Sequence, residues 1–324
     1  MYAAYVTKTG GPEVLEYTEV AAPSPGPGQV LVKVAAAGVN FIDIYLRSGL
    51  YPRPLPAVPG GEGAGTVAEI GEGVTEVAVG DRVAWADGNS GSYAEYDVVR
   101  ADRVVHVPES VDLETAAAAM LQGMTAHYLT NSTWQLKAGE TALVHAAAGG
   151  MGLLLSQIGK AKGARVIGTT SSEAKAALAR EAGADEVINY VEVEDVAARV
   201  RELTEGRGVD VVYDGVGKTT FPASLKSLRR RGLLALYGAA SGPVPPLDPQ
   251  ELHRNGSLFL TRPTLADHIV TREELEWRAG ETLAAVADGS LKINVGRRFP
   301  LAQAAEAHTA LAGRATTGKV LLIP

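Results

Sequence analysis

The sequence predicts an α/β protein in which a doubly wound, six-stranded parallel sheet is inserted into a β-rich, barrel-like domain built from both ends of the chain. Three observations predict it. The first third is a series of short β-rich runs broken by Gly and Pro. From Thr141 onward strand-like and helical runs alternate, and after Pro263 that alternation stops and β-type sequence returns. The expected division is 1–122 plus 265–324 for the β-rich domain and 123–264 for the sheet domain.

Taken in order, Val30-Leu31-Val32-Lys33-Val34 follows a turn-rich Pro/Gly segment, and strand-like runs at 65–70 and 81–85 are separated by Gly71, Gly73 and Gly80. Short strands with glycine turns suit a compact barrel. Ser110 is placed to cap a helix starting at Val111, with Asp112 and Glu114 in its first turn. Six strand candidates follow, at 141–146, 165–168, 186–188, 209–214, 232–237 and 257–260, with helical patterns between them, for example at 175–181 and 221–228. The basic run Arg229-Arg230-Arg231 falls where a helix should give way to a strand and reads as a solvated connection. Thr271-Arg272-Glu273-Glu274 has capping-box spacing and opens a long helix. The segments at 297–301 and 320–323 then complete the first domain.

Composition narrows the function. The 324 residues, 46% of them hydrophobic, can fill two cores. A formal charge of −7 argues against a nucleic-acid or anionic-membrane surface. The chain has no cysteine, so it has no disulfide, no thiolate nucleophile and no cysteine-held metal. No signal-like amino terminus is present, nor any run near the ~20 apolar residues of a membrane span. A soluble cytoplasmic protein is expected.

The sharpest motif is Thr141-Ala142-Leu143-Val144-His145-Ala146 running into Ala147-Ala148-Gly149-Gly150-Met151-Gly152 and then a helix. In a Rossmann unit small residues at these places make the tight turn, admit a pyrophosphate to the backbone and let helix and strand pack closely. Ala147, Gly149 and Gly152 hold the three places, and the helix amino terminus offers N–H groups to phosphate. The next strand ends in Thr169-Thr170-Ser171-Ser172, without the acid that would bind ribose hydroxyls in an NAD site. Lys175 lies a turn beyond. Small hydroxyls with a cation suit a 2′-phosphate and favour NADPH, although Ser171 or Ser172 also suits a helix cap.

The 40–52 segment, Asn40-Phe41-Ile42-Asp43-Ile44-Tyr45-Leu46-Arg47-Ser48-Gly49-Leu50-Tyr51-Pro52, resembles a signature of the zinc-free quinone oxidoreductases. These are the zeta-crystallin-like branch of the medium-chain dehydrogenase/reductase superfamily. His145-Ala146-Ala147-Ala148-Gly149-Gly150, Val187-Ile188-Asn189-Tyr190 and Tyr213-Asp214-Gly215-Val216-Gly217 are similar too, as are the 257–263 segment and Arg314-Ala315-Thr316-Thr317-Gly318. The resemblance implies a GroES-like catalytic domain, an inserted Rossmann domain, NADPH as hydride donor and a homodimer. It places Asn40 and Asp43 near the nicotinamide, with a structural cap as the other role open to Asp43. Tyr45 and Tyr51 fall around the substrate. Lys175 and Tyr190 fall at the 2′-phosphate with Thr170 and Ser171, and the Ala148-Gly149-Gly150-Met151-Gly152 loop falls at the pyrophosphate. Thr125, Tyr237, Gly238 and Arg262 line the rest of the groove, and Arg314 and Gly318 complete its rim.

Zinc-dependent relatives carry Cys where this chain has Asn40, and Gly-His-Glu where it has Gly60-Gly61-Glu62. Glu62 alone cannot hold a catalytic zinc, so no metal is expected. Without a Lewis acid, alcohol oxidation is disfavoured and an acceptor that is already electrophilic is expected. Asn40, Tyr45 and Tyr51 are the candidate catalytic residues, the Asn40 amide and a Tyr hydroxyl bonding an acceptor oxygen as charge builds there. No dedicated general acid stands out, and His127 reads as a packing residue. Three readings stay open: NADPH:quinone reduction, NADPH-dependent reduction of an activated double bond, and a non-catalytic NADPH-binding role.

Overall fold

The computed structural model describes residues 1–88 and 90–324, and the chain divides into two compact units, 1–124 with 269–324 and 125–268. In the first, β1 (Tyr2–Tyr5) and β2 (Glu16–Glu19) form an antiparallel ribbon. β3 (Gln29–Val39) is followed by α1 (Phe41–Ser48), and then by β4 (Glu62–Ile70), β5 (Arg82–Ala86), β6 (Tyr96–Arg100) and β7 (Val104–His106). β3 continues well past Val34 through an Ala/Gly-rich stretch of low strand propensity. It does so because β4 and, at its far end, the carboxy-terminal strand of the chain pair with it, so tertiary pairing overrides local preference. α2 (Leu113–Tyr128) starts two residues later than expected. Asp112 rather than Ser110 holds its first turn, accepting the Thr115 N–H at 2.8 Å.

The second unit is built on six parallel strands: β8 (Thr141–Val144), β9 (Arg165–Thr170), β10 (Glu186–Asn189), β11 (Val209–Asp214), β12 (Leu228–Leu236) and β13 (Phe259–Thr261). Their order in space is β10-β9-β8-β11-β12-β13, which is doubly wound with its switch point between β8 and β11. α3 (Gly150–Ala161), α4 (Glu173–Glu181), α5 (Val196–Leu203), α6 (Phe221–Ser227) and the short α7 (Gln250–Arg254) connect them. Leu143, Ile167, Val212, Leu225 and Leu234 share its core. The arginine run departs from expectation in part, Arg230 and Arg231 being exposed as expected. It lies inside β12, which begins at Leu228, and the Arg229 guanidinium bonds Asp210 at 2.5 Å.

The chain then returns to the first unit as α8 (Arg272–Ala287), β14 (Val295–Pro300), α9 (Ala304–Ala312) and β15 (Lys319–Ile323). Thr271 and Glu274 make the expected capping box on α8. β15 adds antiparallel to β3, completing a sheet of order β14-β15-β3-β4-β5-β7 with β6 also on β3. Val32, Trp85, Tyr93, Phe299 and Leu322 fill the core beneath it. Among the described residues no helix is long and apolar enough to cross a membrane.

Candidate active site

Each unit carries one cluster of polar groups in the regions singled out by sequence. In the first unit the cluster gathers where β3 meets α1. Asn40 caps α1, and its backbone N–H donates to Asp43 Oδ2 at 2.8 Å across the first turn. The Asn40 side chain is held at both ends. Its Nδ2 donates to Glu62 Oε2 at 2.7 Å and to the Gly38 carbonyl at 3.4 Å, while its Oδ1 accepts from Lys319 Nζ at 2.7 Å. Lys319 Nζ also forms an ion pair with Glu62 Oε2, and both side chains are almost wholly buried. The Leu121 N–H completes the carboxylate's partners at 2.6 Å. A Cβ on Gly38 would collide with the Glu62 carboxylate, so the glycine makes the room for this pair.

The ammonium thus lies between Asn40 and Glu62, the side chains that would flank a catalytic zinc in the metal-dependent relatives. Gly61 brings no third ligand. The sequence offers Glu62 only as a carboxylate that cannot hold zinc alone, and it does not single out its buried partner Lys319. The signal for Lys319 is a charged residue opening the otherwise apolar strand Lys319-Val320-Leu321-Leu322-Ile323.

Asp43 starts a second chain of hydrogen bonds. Tyr93 OH donates to Asp43 Oδ2 at 3.0 Å, Tyr93 lies 3.0 Å from His308 Nε2, and Arg47 Nη1 lies 3.1 Å from His308 Nδ1. Arg47 can only donate, so Nδ1 accepts and Nε2 carries the proton, which it gives to the Tyr93 oxygen. Burial first, then the Arg47 charge, holds His308 down to about 3, so the ring is neutral as this ordering requires. Burial pushes the Asp43 carboxyl up to about 6, against the opposing pull of the Asn40 amide, the Tyr93 hydroxyl and Lys319. Tyr45 is buried on the same helix and meets Tyr51 edge to face at 5.4 Å and 72°.

In the second unit, α3 starts at the end of β8 with Gly149 as its N-cap and no side-chain cap. Its first-turn N–H groups, from Gly150, Met151 and Gly152, therefore point to an anion-binding end. A Cβ on Gly152 would collide with the Ala146 carbonyl, which is why only glycine lets this helix approach so closely. Ala146 itself takes a left-handed φ of 53° to make the turn. Beneath the loop His145 bridges Thr169 Oγ1 at 3.1 Å and Ser224 Oγ at 3.0 Å, and Ser224 donates to Asp214 Oδ2 at 2.7 Å. Burial lowers the His145 imidazole's affinity for a proton.

Beside this loop, the β9 tip is free of acids. Ser172, not Ser171, is the residue that caps α4, accepting the Lys175 N–H at 3.4 Å. Tyr190 N–H donates to the Thr170 carbonyl at 3.0 Å, so Thr170, Ser171, Lys175 and Tyr190 stand at one end of the sheet with Ala148 and the glycine loop. Tyr237 and Gly238 lie at the end of β12. The Tyr237 ring leaves no space for a Cβ on Gly215, nor does the Gly215 carbonyl for one on Gly238. An uncapped glycine turn with an acid-free hydroxyl and cation tip fits the phosphates of NADPH.

The remaining predicted residues are more scattered. Thr125 is buried on α2, and Arg262 is exposed just after β13. Arg314 is exposed after α9. Gly318 is required by the fold itself: its φ is 62°, and a Cβ there would collide with the Asn294 carbonyl that pairs with Lys319.

A GroES-like β unit joined to a Rossmann unit with an uncapped glycine loop defines a medium-chain dehydrogenase/reductase. Two family models agree, "Alcohol dehydrogenase GroES-like domain" over residues 26–109 and "Zinc-binding dehydrogenase" over residues 150–283. A quinone oxidoreductase of Pseudomonas aeruginosa is 50% identical over 324 residues, covering 100% of this chain and 98% of that protein. The chain belongs to the zinc-free quinone oxidoreductase family of that superfamily. A 2-haloacrylate reductase from a Burkholderia species is 44% identical over 99% of this chain and 98% of its own. The crystal structure of Escherichia coli quinone oxidoreductase complexed with NADPH matches with a TM-score of 0.98 at 43% identity, over 100% of both chains.

The buried pair makes the first prediction. Lys319→Met strands the Glu62 carboxylate and should cost about 3–5 kcal/mol in denaturant unfolding. Glu62→Gln combined with Lys319→Met should recover much of that loss. If the single change is as mild as breaking an exposed ion pair, the pair does not organise the site.

Proposed function

We propose that the protein is an NADPH-dependent quinone reductase. The observation that carries this is the combination of end-to-end identity with a quinone oxidoreductase and a buried ammonium between the side chains that would flank zinc. NADPH supplies the hydride, from its nicotinamide. The backbone from Ala148 to Gly152 holds the pyrophosphate, and Thr170, Ser171, Lys175 and Tyr190 hold the 2′-phosphate. Thr125, Tyr237, Gly238, Arg262, Arg314 and Gly318 contribute to the rest of the binding surface.

In the first unit the role of Asn40 changes. Its amide hydrogens go to Glu62 and Gly38, so it serves to fix the Glu62–Lys319 pair rather than to bond the acceptor oxygen. Asp43 is both the α1 cap and the end of the Tyr93–His308 chain. Tyr45 and Tyr51 supply flat aromatic surface and hydroxyl donors for the acceptor. Catalysis by positioning and exclusion of water suits a quinone, which needs no metal to make it electrophilic.

A second reading, reduction of an activated carbon–carbon double bond, is favoured by the 44% identity to the 2-haloacrylate reductase. NADPH oxidation followed with 1,4-benzoquinone, with a simple enone and with neither separates the two. Turnover with the quinone is expected. Turnover with the enone alone would move the assignment to the second reading, and turnover with neither would end both.

Replacing Lys175 by Glu should weaken NADPH by roughly 1.5–3 kcal/mol while leaving NADH almost unchanged. Equal losses for both cofactors in fluorescence titrations would remove Lys175 from the 2′-phosphate site.

The reading extends to assembly and compartment. A homodimer formed along β13 is supported by that strand's place at the sheet edge and by Phe259, 58% exposed on it. Phe259→Asp should then sediment as a monomer, and an unchanged sedimentation coefficient would rule out this edge. A cysteine-free chain suits the cytoplasm, where structural disulfides have no use.

A further inference from the structure

A second basic site lies at the opposite end of the parallel sheet from the glycine loop. There, at the amino-terminal ends of β11, β12 and β13, residues from four segments line a cleft of about 1070 Å³. Its cations divide by what they already bind. Arg201 builds the wall, spending its guanidinium on the carbonyls of Gly206, Arg207, Lys226 and Leu228 at 2.6–3.0 Å. Arg207 and Arg229 share one buried carboxylate, Asp210, which cannot neutralise both. Arg230 and Arg231 are exposed, and among the described residues neither guanidinium meets a carboxylate. The site therefore concentrates positive charge in a chain whose formal net charge is −7.

The loops that shape it are held in specific conformations. Arg231 takes a φ of 58° and its N–H donates to the Gly256 carbonyl at 2.9 Å. Gly256 has a φ of 107°, and a Cβ there would press on the Arg230 side chain at 3.1 Å. The glycine leaves space for Arg230, and both arginines line the cleft.

We propose that this cleft binds a small anion carrying two phosphate groups, inorganic or organic. Guanidinium forks match phosphate oxygens in pairs, and uncompensated ones in a concave site favour compact, multiply charged ligands. A nucleic-acid strand is a poorer fit: the lining residues include no Phe, Tyr or Trp, and His253 is the one ring among them on which a base could stack. The cleft is separated from the dinucleotide loop by the length of the sheet, so both can be filled at once.

Inorganic pyrophosphate titrated calorimetrically into NADPH-saturated protein tests this, because the cofactor then blocks the glycine loop. One further binding event is expected, weakening as salt rises. Arg230→Ala with Arg231→Asn should weaken it at least about tenfold, asparagine being chosen because it tolerates a left-handed φ. NADPH oxidation should be unchanged in that variant, which also reports its folding. Should the double variant lose that activity, Arg230→Gln alone carries the same test. No binding to the saturated protein, equal affinity in the variant, or binding of a short single-stranded RNA but not of pyrophosphate would each overturn the proposal.

Discussion

A buried ammonium set against a buried carboxylate organises the first unit. Lys319 and Glu62 are each costly to remove from water, and neither would be retained there alone. Together they impose a set of consequences on their neighbours. Residue 38 has to be glycine, because any side chain would occupy the carboxylate's place. Asn40 has to present its oxygen to the ammonium and its amide to the carboxylate, which fixes its rotamer and with it the start of α1. The Leu121 N–H, on α2, is drawn to the same carboxylate. Burial dominates the raised proton affinity of Asp43, and the pair adds smaller opposing contributions, Lys319 lowering it and Glu62 raising it.

The second unit relies on a network of hydrogen bonds gathered on one buried carboxylate for the same purpose. His145, Thr169, Ser224 and Asp214 join the ends of β8, β9, β11 and the helix after it. Asp214 further accepts the N–H groups of Val216 and Gly217 at 2.8 and 3.0 Å. These bonds lie directly behind the loop where α3 begins. They hold its amides in place before any phosphate arrives, so binding need not bear the entropy of ordering them.

How much of this the sequence discloses follows from the range of each interaction. The six parallel strands are legible because each is a local apolar run, and the glycine loop because its constraint is local and steric. The capping box at Thr271 is legible for the same reason. The ends of elements are less so: β3 runs on through Ala35 to Gly38 only because β4 and β15 pair with it. The Glu62–Lys319 pair spans 257 positions and the Tyr93–His308 contact 215. Nothing near Lys319 or His308 in the chain says what they will meet. The arginine run is legible in part: Arg230 and Arg231 are solvated as expected, but Arg229 meets Asp210, which lies on a different strand.

These distant contacts also bear on the chemistry. The Lys319 ammonium is only 1% exposed and gives its hydrogens to Asn40 and Glu62, so its charge is committed to the protein. A cation spent in this way organises the site without polarising an acceptor. The Asn40 amide is equally committed. On the proposed function, the first unit offers its acceptor the aromatic surface and hydroxyls of Tyr45 and Tyr51. Such a site accelerates reduction by holding and desolvating its acceptor more than by activating it. The burden of electrophilicity falls on the substrate, and a quinone, whose reduction restores aromaticity, carries that burden better than a simple ketone.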